Sequence, residues 1–370
     1  MQALAGNARI LVVRLGALRE VIFAGPAVWA LRRRYPAATI TIWVSPAGEA
    51  VGRCLPGVND VFVGAAPGAD SEGDLSQGSM LVRSLARRQF DAAFILTSAA
   101  ETPYAVAVVA SAAGIPVRVG QSREWGGGLL TDWVSPGREE ENPAKRHLHL
   151  LARVGVPVAG PELRLTIPES ARGRVRGLLA TAGIAGDFVV VVPGATCAAR
   201  RYPEGHYEAV LRDLTGRGLR IVLAGGVHDQ ALGAALAAAI PGVVSWCGLL
   251  SFPEIVALLA QASVFVGHDA GLMYVAHALA VPMVILYAGT EPVPSWMRDT
   301  AKVTLLRQAV ACAPCYRLVC PYDQGCLDVD PRDVANAIAG HLPQAPCRTH
   351  GIATPPSGAP CRITRLRLRK

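Results

Sequence analysis

The chain has 370 residues, 51% of them hydrophobic and 17% charged, which allows two ordinary domains with separate cores and excludes an intrinsically disordered chain. Its formal net charge of +8 comes almost wholly from arginine, since only Lys145, Lys302 and Lys370 are lysines. That surplus suits an anionic partner such as phosphate, acidic glycolipid or a membrane face, with arginine-rich codon usage as the plainer cause; no zinc-finger, RNA-binding or helix-turn-helix signature points to nucleic acid.

The N-terminal residues lack a charged start followed by an unbroken apolar run, because Arg14 and Arg19 interrupt it; a cytoplasmic location is expected. Apolar runs of strand length then alternate with helical patterns. Strands are predicted over 9–14, 39–44, near 60–63 and over 92–96, with helices over 21–34, 80–89 and 104–113 between and after them. A polar stretch at 136–145 precedes a helix over 147–154, and the prolines and glycine of 157–168 read as a linker. The second half predicts strands at 188–192, 219–224, 243–246, 264–266 and 283–287, and helices at 205–217, 228–240, 252–262 and 272–280. The nearly uncharged run 271–289 has the length of a membrane span, but His277 and Pro282 interrupt it and its β-branched residues follow the proline. It reads as a buried helix followed by a buried strand.

Such alternation predicts parallel βαβ units. The expected fold class is α/β, with two Rossmann-like doubly wound domains, 1–160 and 161–342, facing a central cleft. No sequence repeat relates the halves. Residues 343–370 turn to Pro, Thr, Ser and Arg and read as a disordered basic tail suited to an anionic membrane surface.

Three strand-to-helix loops carry residues suited to chemistry. In Gly267-His268-Asp269-Ala270-Gly271 a buried strand enters a glycine-containing turn that opens an apolar helix. The unpaired N–H groups and partial positive charge of a helix start favour a phosphate, while Asp269 serving only as an N-cap is the plainer alternative. Pro193-Gly194-Ala195-Thr196 and Arg200-Arg201-Tyr202-Pro203 follow the strand over 188–192. There Thr196 offers a hydroxyl and Arg200 a guanidinium for phosphate oxygens, the alternative being a solvated loop. In the first half, Glu20 stands where a general base would face the cleft, and it serves equally to stabilise the helix start. The G-x-G-x-x-G dinucleotide fingerprint is absent. Cys312, Cys315, Cys320 and Cys326 form C-x2-C-x4-C-x5-C, a spacing suited to structural Zn or Fe, or else four free thiols in a reducing compartment.

In this order the segments resemble glycosyltransferase family 9, the ADP-heptose–lipopolysaccharide heptosyltransferases. The resemblance runs from about residue 9 to about 342. It rests on Arg9-Ile10-Leu11-Val12-Val13-Arg14-Leu15-Gly16, Pro193-Gly194-Ala195-Thr196 with Arg200-Arg201-Tyr202-Pro203, Gly225-Gly226, Asp269-Ala270-Gly271-Leu272-Met273, and the cysteine segment. It implies a GT-B fold with an acceptor-binding N-terminal domain, a donor-binding C-terminal domain and a final helix crossing back. It also implies inverting transfer of heptose from ADP-heptose to a lipopolysaccharide-core acceptor, without a cofactor for catalysis. By the same resemblance Glu20 falls at the catalytic aspartate and Arg200 and Thr196 at phosphate contacts. Asp229 falls near the ribose, Leu250 near adenine, and Asp269, Ala270 and Gly271 at the Asp-Thr-Gly turn, with Tyr274 in place of a histidine. The partners implied are an ADP-sugar donor and an anionic glycolipid acceptor met peripherally at the inner membrane. Two departures stand out: Arg19-Glu20 where the family has Gly-Asp, and Ala270 where it has threonine. They leave as alternatives a member using another nucleotide-sugar or acceptor, and a non-catalytic binder of nucleotide or glycolipid. Arg32, Arg33, Arg34, Arg83, Arg87 and Arg88 are candidate acceptor contacts or solvated helix faces.

Overall fold

The computed structural model describes residues 4–65, 75–137, 142–294, 297 and 302–342. Six parallel strands form the first sheet: β1 (Arg9–Val13), β2 (Thr39–Val44), β3 (Asp60–Val63), β4 (Ala92–Ile95), β5 (Val117–Gln121) and β6 (Asp132–Val134), in the order β3-β2-β1-β4-β5-β6. A second six-stranded parallel sheet holds β7 (Phe188–Val191), β8 (Arg220–Leu223), β9 (Val243–Ser245), β10 (Val264–His268), β11 (Met283–Leu286) and β12 (Val303–Leu306). Its order, β12-β11-β10-β7-β8-β9, is the same topology as the first. The halves therefore repeat in three dimensions without repeating in sequence.

The central strands are continuous apolar runs because helices cover both sheet faces. β4, β7 and β11 are buried at every position, as is β1 after Arg9. The helices are α1 (Leu18–Arg34), α2 (Glu49–Gly52), α3 (Leu75–Ala86), α4 (Tyr104–Ala112), α5 (Pro143–Arg153), α6 (Glu169–Thr181), α7 (Glu204–Gly216), α8 (Gln230–Ala239), α9 (Phe252–Leu259), α10 (Gly271–Ala278) and α11 (Pro331–His341). The run 271–289 is indeed a helix and a strand, α10 and β11. Among the described residues, no helix is long and apolar enough to cross a membrane.

The halves share one apolar cluster. It joins Val12, Ile22 and Phe23 to Phe188, Met273 and Tyr274, and the Phe23 and Tyr274 rings meet edge-on at 5.5 Å and 71°. α1 thus lies against α10, and α6 packs on α9.

The structure departs from the sequence reading in several elements. β5, β6, β12, α2 and α6 were not expected. In α6 (ESARGRVRGLLAT) the arginines and glycines dilute a core face of only Ala171, Val175 and Leu179. The expected helix over 147–154 begins earlier, at Pro143, where Asn142 Oδ1 caps Ala144 N at 2.9 Å. The last described helix, α11, does not cross back to the first half. Val334, Ala335 and Ile338 bury it with Tyr207, Leu211 and Leu214 of α7 on the second sheet. The expected tail, 343–370, lies outside the described residues.

Candidate active site

In each sheet the strand order reverses between two central strands: β1 and β4 in the first, β7 and β10 in the second. Loops leaving the carboxyl ends of strands at such a point diverge and leave a crevice, where open α/β sheets bind ligands. Here the two crevices face one another. The start of α1 meets the start of α10, and the Cδ1 of Leu18 lies 3.3 Å from where a Cβ on Gly271 would stand.

On the first side, Gly16 holds φ +133, and a Cβ there would come within 2.8 Å of the Glu20 side chain, so only glycine allows the carboxylate to fold back over the loop. Glu20 Oε2 accepts from Ala17 N at 3.1 Å, and Oε1 accepts from Arg19 Nε at 2.9 Å. Partial burial works to raise the Glu20 carboxyl. The backbone hydrogen bond, Arg19 and Arg14 outweigh it and hold the carboxyl below its ordinary value. Glu20 therefore stabilises the helix start, as the plainer of its two expected roles requires, and Arg19 holds it there.

On the second side, Asp269 is buried, and the N-cap of α10 is Ala270 in an extended conformation without a side-chain cap. The alternative of Asp269 as an ordinary N-cap is thereby corrected: its carboxylate turns instead to Arg200 Nη1 at 3.3 Å and to the Tyr274 hydroxyl at 3.3 Å. Burial raises the Asp269 carboxyl, and Arg200 opposes that rise. Arg200 is fixed by three further acceptors, Thr290 Oγ1 at 2.8 Å, the Asp269 carbonyl at 3.3 Å and the Glu291 carboxylate. Arg200, Asp269, Gly271 and Tyr274 thus converge.

The remaining expected residues sit at the rim. Thr196 is exposed in the loop after β7. Asp229 Oδ2 accepts from Gly226 N at 2.9 Å, and a side chain at Gly194 or Gly225 would run into its carboxylate. Asp229 therefore braces the loop after β8 and packs closely against Gly194 of the loop after β7. Leu250 is half-buried just before α9. The surface arginines divide: Arg32 is spent on the carbonyls of Pro36, Ala38 and Gly57, and Arg88 pairs with Asp60. Arg33, Arg34, Arg83 and Arg87 are exposed.

The four cysteines meet in one place. Cys312, Cys315, Cys320 and Cys326 line a cavity of about 460 Å³ with Ala199, Gly289 and Thr290. Among the described residues, however, no three Cys, His, Asp or Glu side chains stand as a set able to hold a metal ion. As arranged, the thiols do not fit the expected Zn or Fe site. Hydrogen bonds from Cys315 N to Gly289 O at 2.9 Å, and from Ala199 N to Leu318 O at 3.0 Å, knit this segment to the stretch after β11 and to the Arg200 loop.

Sequence reasoning missed Thr290 and Glu291, which lie in a short stretch after β11 without a motif. It also gave no role to His268. Its Nε2 accepts from Tyr202 N at 3.0 Å, so Nδ1 carries the proton and donates to Gly194 O at 2.9 Å. Burial lowers its pKa to about 4. His268 is a neutral strut joining the two loops of the second crevice.

Comparison with known proteins follows the same lines. The profile of glycosyltransferase family 9 (heptosyltransferase) matches residues 79–325. The chain is 28% identical over 301 residues to lipopolysaccharide heptosyltransferase 2 of Escherichia coli K12, covering 77% of this chain and 84% of that protein. It is 26% identical over 306 residues to the enzyme of the same name from Salmonella typhimurium, again covering 77% and 84%. The structure of E. coli ADP-heptose lps heptosyltransferase II superposes with a TM-score of 0.68 at 23% identity, covering 90% of this chain and 98% of the other. A glycosyl transferase family 9 structure from Veillonella parvula gives 0.75 at 19% identity, covering 92% and 98%. These solved structures share the two-sheet GT-B architecture.

Proposed function

We propose, from the premise that the chain belongs to glycosyltransferase family 9 and is a glycosyltransferase, that it transfers heptose from ADP-heptose to a lipopolysaccharide-core-type acceptor with inversion at the anomeric carbon. One observation carries the reading: the start of α1, which holds Glu20, lies against the start of α10, which adjoins Asp269 and Arg200, with Leu18 packed at Gly271. A base and an anion cradle on facing domains are what a direct displacement requires. The relatives' names supply the sugar and the acceptor.

In the proposed reaction Glu20 takes the proton of the acceptor hydroxyl as that oxygen bonds to the anomeric carbon. The bond from that carbon to the diphosphate oxygen breaks on the opposite face, and ADP leaves with the electron pair. Arg200 and the N–H groups opening α10 hold the charge that develops on the leaving group, the effect expected to contribute most. Thr196, Asp229 and Leu250 lie along the path assigned to the rest of the nucleotide. Residues 1–160 serve as acceptor domain and 161–342 as donor domain.

An anionic acceptor fits the first crevice. Arg14 follows β1, Arg123 follows β5, and Arg146 of α5 donates to Thr97 O at 2.9 Å just after β4. Burial and the mutual repulsion of Arg146 with Arg123 and Arg14 lower the Arg146 pKa, so a bound anion would relieve unfavourable charge there. Glu101 partly offsets it, 2.7 Å from Arg14. The reaction is proposed at the cytoplasmic side, with peripheral contact to the inner membrane. Incubating purified protein with ADP-heptose and core acceptors, with mass-spectrometric readout, tests the proposal. ADP binding without transfer to any acceptor would overturn it in favour of a non-catalytic binder, and turnover of a different nucleotide-sugar would replace the donor.

A further inference from the structure

The carboxylate of Glu291 bridges guanidinium groups from both halves of the molecule. It accepts from Arg200 Nη2 through Oε1, and its Oε2 lies 4.0 Å from Arg19 Nη1. Arg19 belongs to the first turn of α1 and reaches over the cleft, its guanidinium carbon 5.9 Å from the centre of the Tyr274 ring. Tyr274 in turn contacts Asp269, which contacts Arg200. One anion therefore sits between two cations that the two domains contribute separately. Arg19 is meanwhile the side chain that holds Glu20 Oε1 at 2.9 Å.

We propose that Arg19 is a ligand of the donor's diphosphate supplied by the acceptor domain, and that Glu291 occupies the diphosphate position until the donor displaces it. The inference rests on the reading of this cleft as an ADP-sugar site and adds a residue and an order of events to it. A diphosphate carries more charge than one carboxylate and offers oxygens on both sides, so it is the stronger partner for two forked guanidinium groups. As Arg19 turns to the diphosphate it leaves Glu20 Oε1, and Glu20 keeps only its bond from Ala17 N. Loss of a nearby positive charge raises the proton affinity of a carboxylate. Donor binding, apposition of the domains and release of the base then become a single event. Arg19 also supplies a donor group where Ala270 offers no hydroxyl.

Isothermal titration of the full-length protein with ADP and with adenosine tests this on wild type, Arg19→Gln, Arg19→Lys and Glu291→Gln. Loss of one charged contact predicts ADP binding weakened roughly 10-fold or more in Arg19→Gln. Adenosine binding should be unchanged, and Arg19→Lys should recover part of the ADP affinity because it keeps the charge but not the fork. Glu291→Gln should tighten ADP, since the competing charge is gone. Wild-type ADP affinity in Arg19→Gln overturns the assignment of Arg19, as does equal loss of ADP and adenosine. Weaker ADP binding in Glu291→Gln overturns the role of Glu291 as the group displaced. Wild-type protein that binds no ADP overturns the donor reading itself, and the proposal with it.

Discussion

Leu18 and Gly271 touch across the cleft, one from the first turn of α1 and the other from the first turn of α10. A Cβ on Gly271 would stand 3.3 Å from one Leu18 methyl and 3.5 Å from the other. A methyl group at 271 would require Leu18 to give by a few tenths of an ångström, and a branched side chain by more. Gly271→Val should push the starts apart while leaving both sheets intact. A misplacement of about 1 Å costs roughly 10²-fold in rate, so kcat/KM should fall by that order with an unchanged circular dichroism spectrum. Wild-type kinetics in this variant would show that the apposition is not used in turnover.

Glu20→Gln keeps the size of the side chain and its backbone hydrogen bond but removes the base. General-base catalysis contributes on the order of 10²–10⁴-fold, and kcat should fall by that amount while ADP affinity stays near wild type. Activity within a factor of a few of wild type would remove Glu20 from the mechanism.

Acidification should destabilise the fold through His268. Its folded pKa is lowered to about 4, below the value of about 6.5 for an unfolded histidine. The unfolded state then binds more protons between those values. Stability contributed by the neutral, buried ring is complete above about pH 6.5 and is lost as pH falls toward 4. A gap of one pH unit between the folded and unfolded pKa corresponds to about 1.4 kcal/mol of stability. Thermal unfolding followed from pH 7 to 4.5 should show a falling midpoint, and His268→Gln should start lower and fall less steeply. A slope equal to wild type in that variant would move the acid sensitivity to other groups, the buried His147 first among them, whose pKa burial lowers to about 3.

The three arginines at the carboxyl edge of the first sheet predict a separation of substrates. Arg146→Gln should raise the KM for a phosphorylated or carboxylated acceptor several-fold while leaving the KM for the nucleotide-sugar unchanged. Initial rates with each substrate varied in turn provide the check, and a change in donor KM alone would contradict the assignment.

In the proposed reaction Arg200, Arg19 and the start of α10 would supply positive charge to the diphosphate, so catalysis is expected to proceed without an added cation. Turnover in EDTA should match turnover with added Mg²⁺. A loss of activity reversed by one metal would point back to the thiol-lined cavity behind the Arg200 loop, or to the diphosphate itself.

Much of the fold was legible from the chain alone. The interior strands of parallel sheets must be apolar throughout, so β1, β7, β10 and β11 declare themselves in the sequence. β5 (VRVGQ) is an interior strand but carries Arg118 and Gln121, and β6 (DWV) is a three-residue outer strand that opens on Asp132, so polar residues mask the period of both. β12 is half-buried at every position and hides for the same reason. The loop holding Asp269 to Gly271, and that holding Arg200, were likewise legible as candidate sites from their place after buried strands.

Sequence by itself determined the α/β class, the carboxyl-end loops that hold Glu20, Arg200 and Asp269, and the family resemblance, because local periodicity and short motifs are written in neighbouring residues. Tertiary structure alone decided what those groups do to one another. It turned Asp269 from a cap toward Arg200, brought four cysteines to one cavity without making them a metal-ion set, and packed α11 on α7. It also joined Arg19 and Arg200, 181 positions apart, through Glu291. Such contacts arise between strand ends distant in sequence, where burial and charge are set by the partner that folding brings and not by adjacent residues.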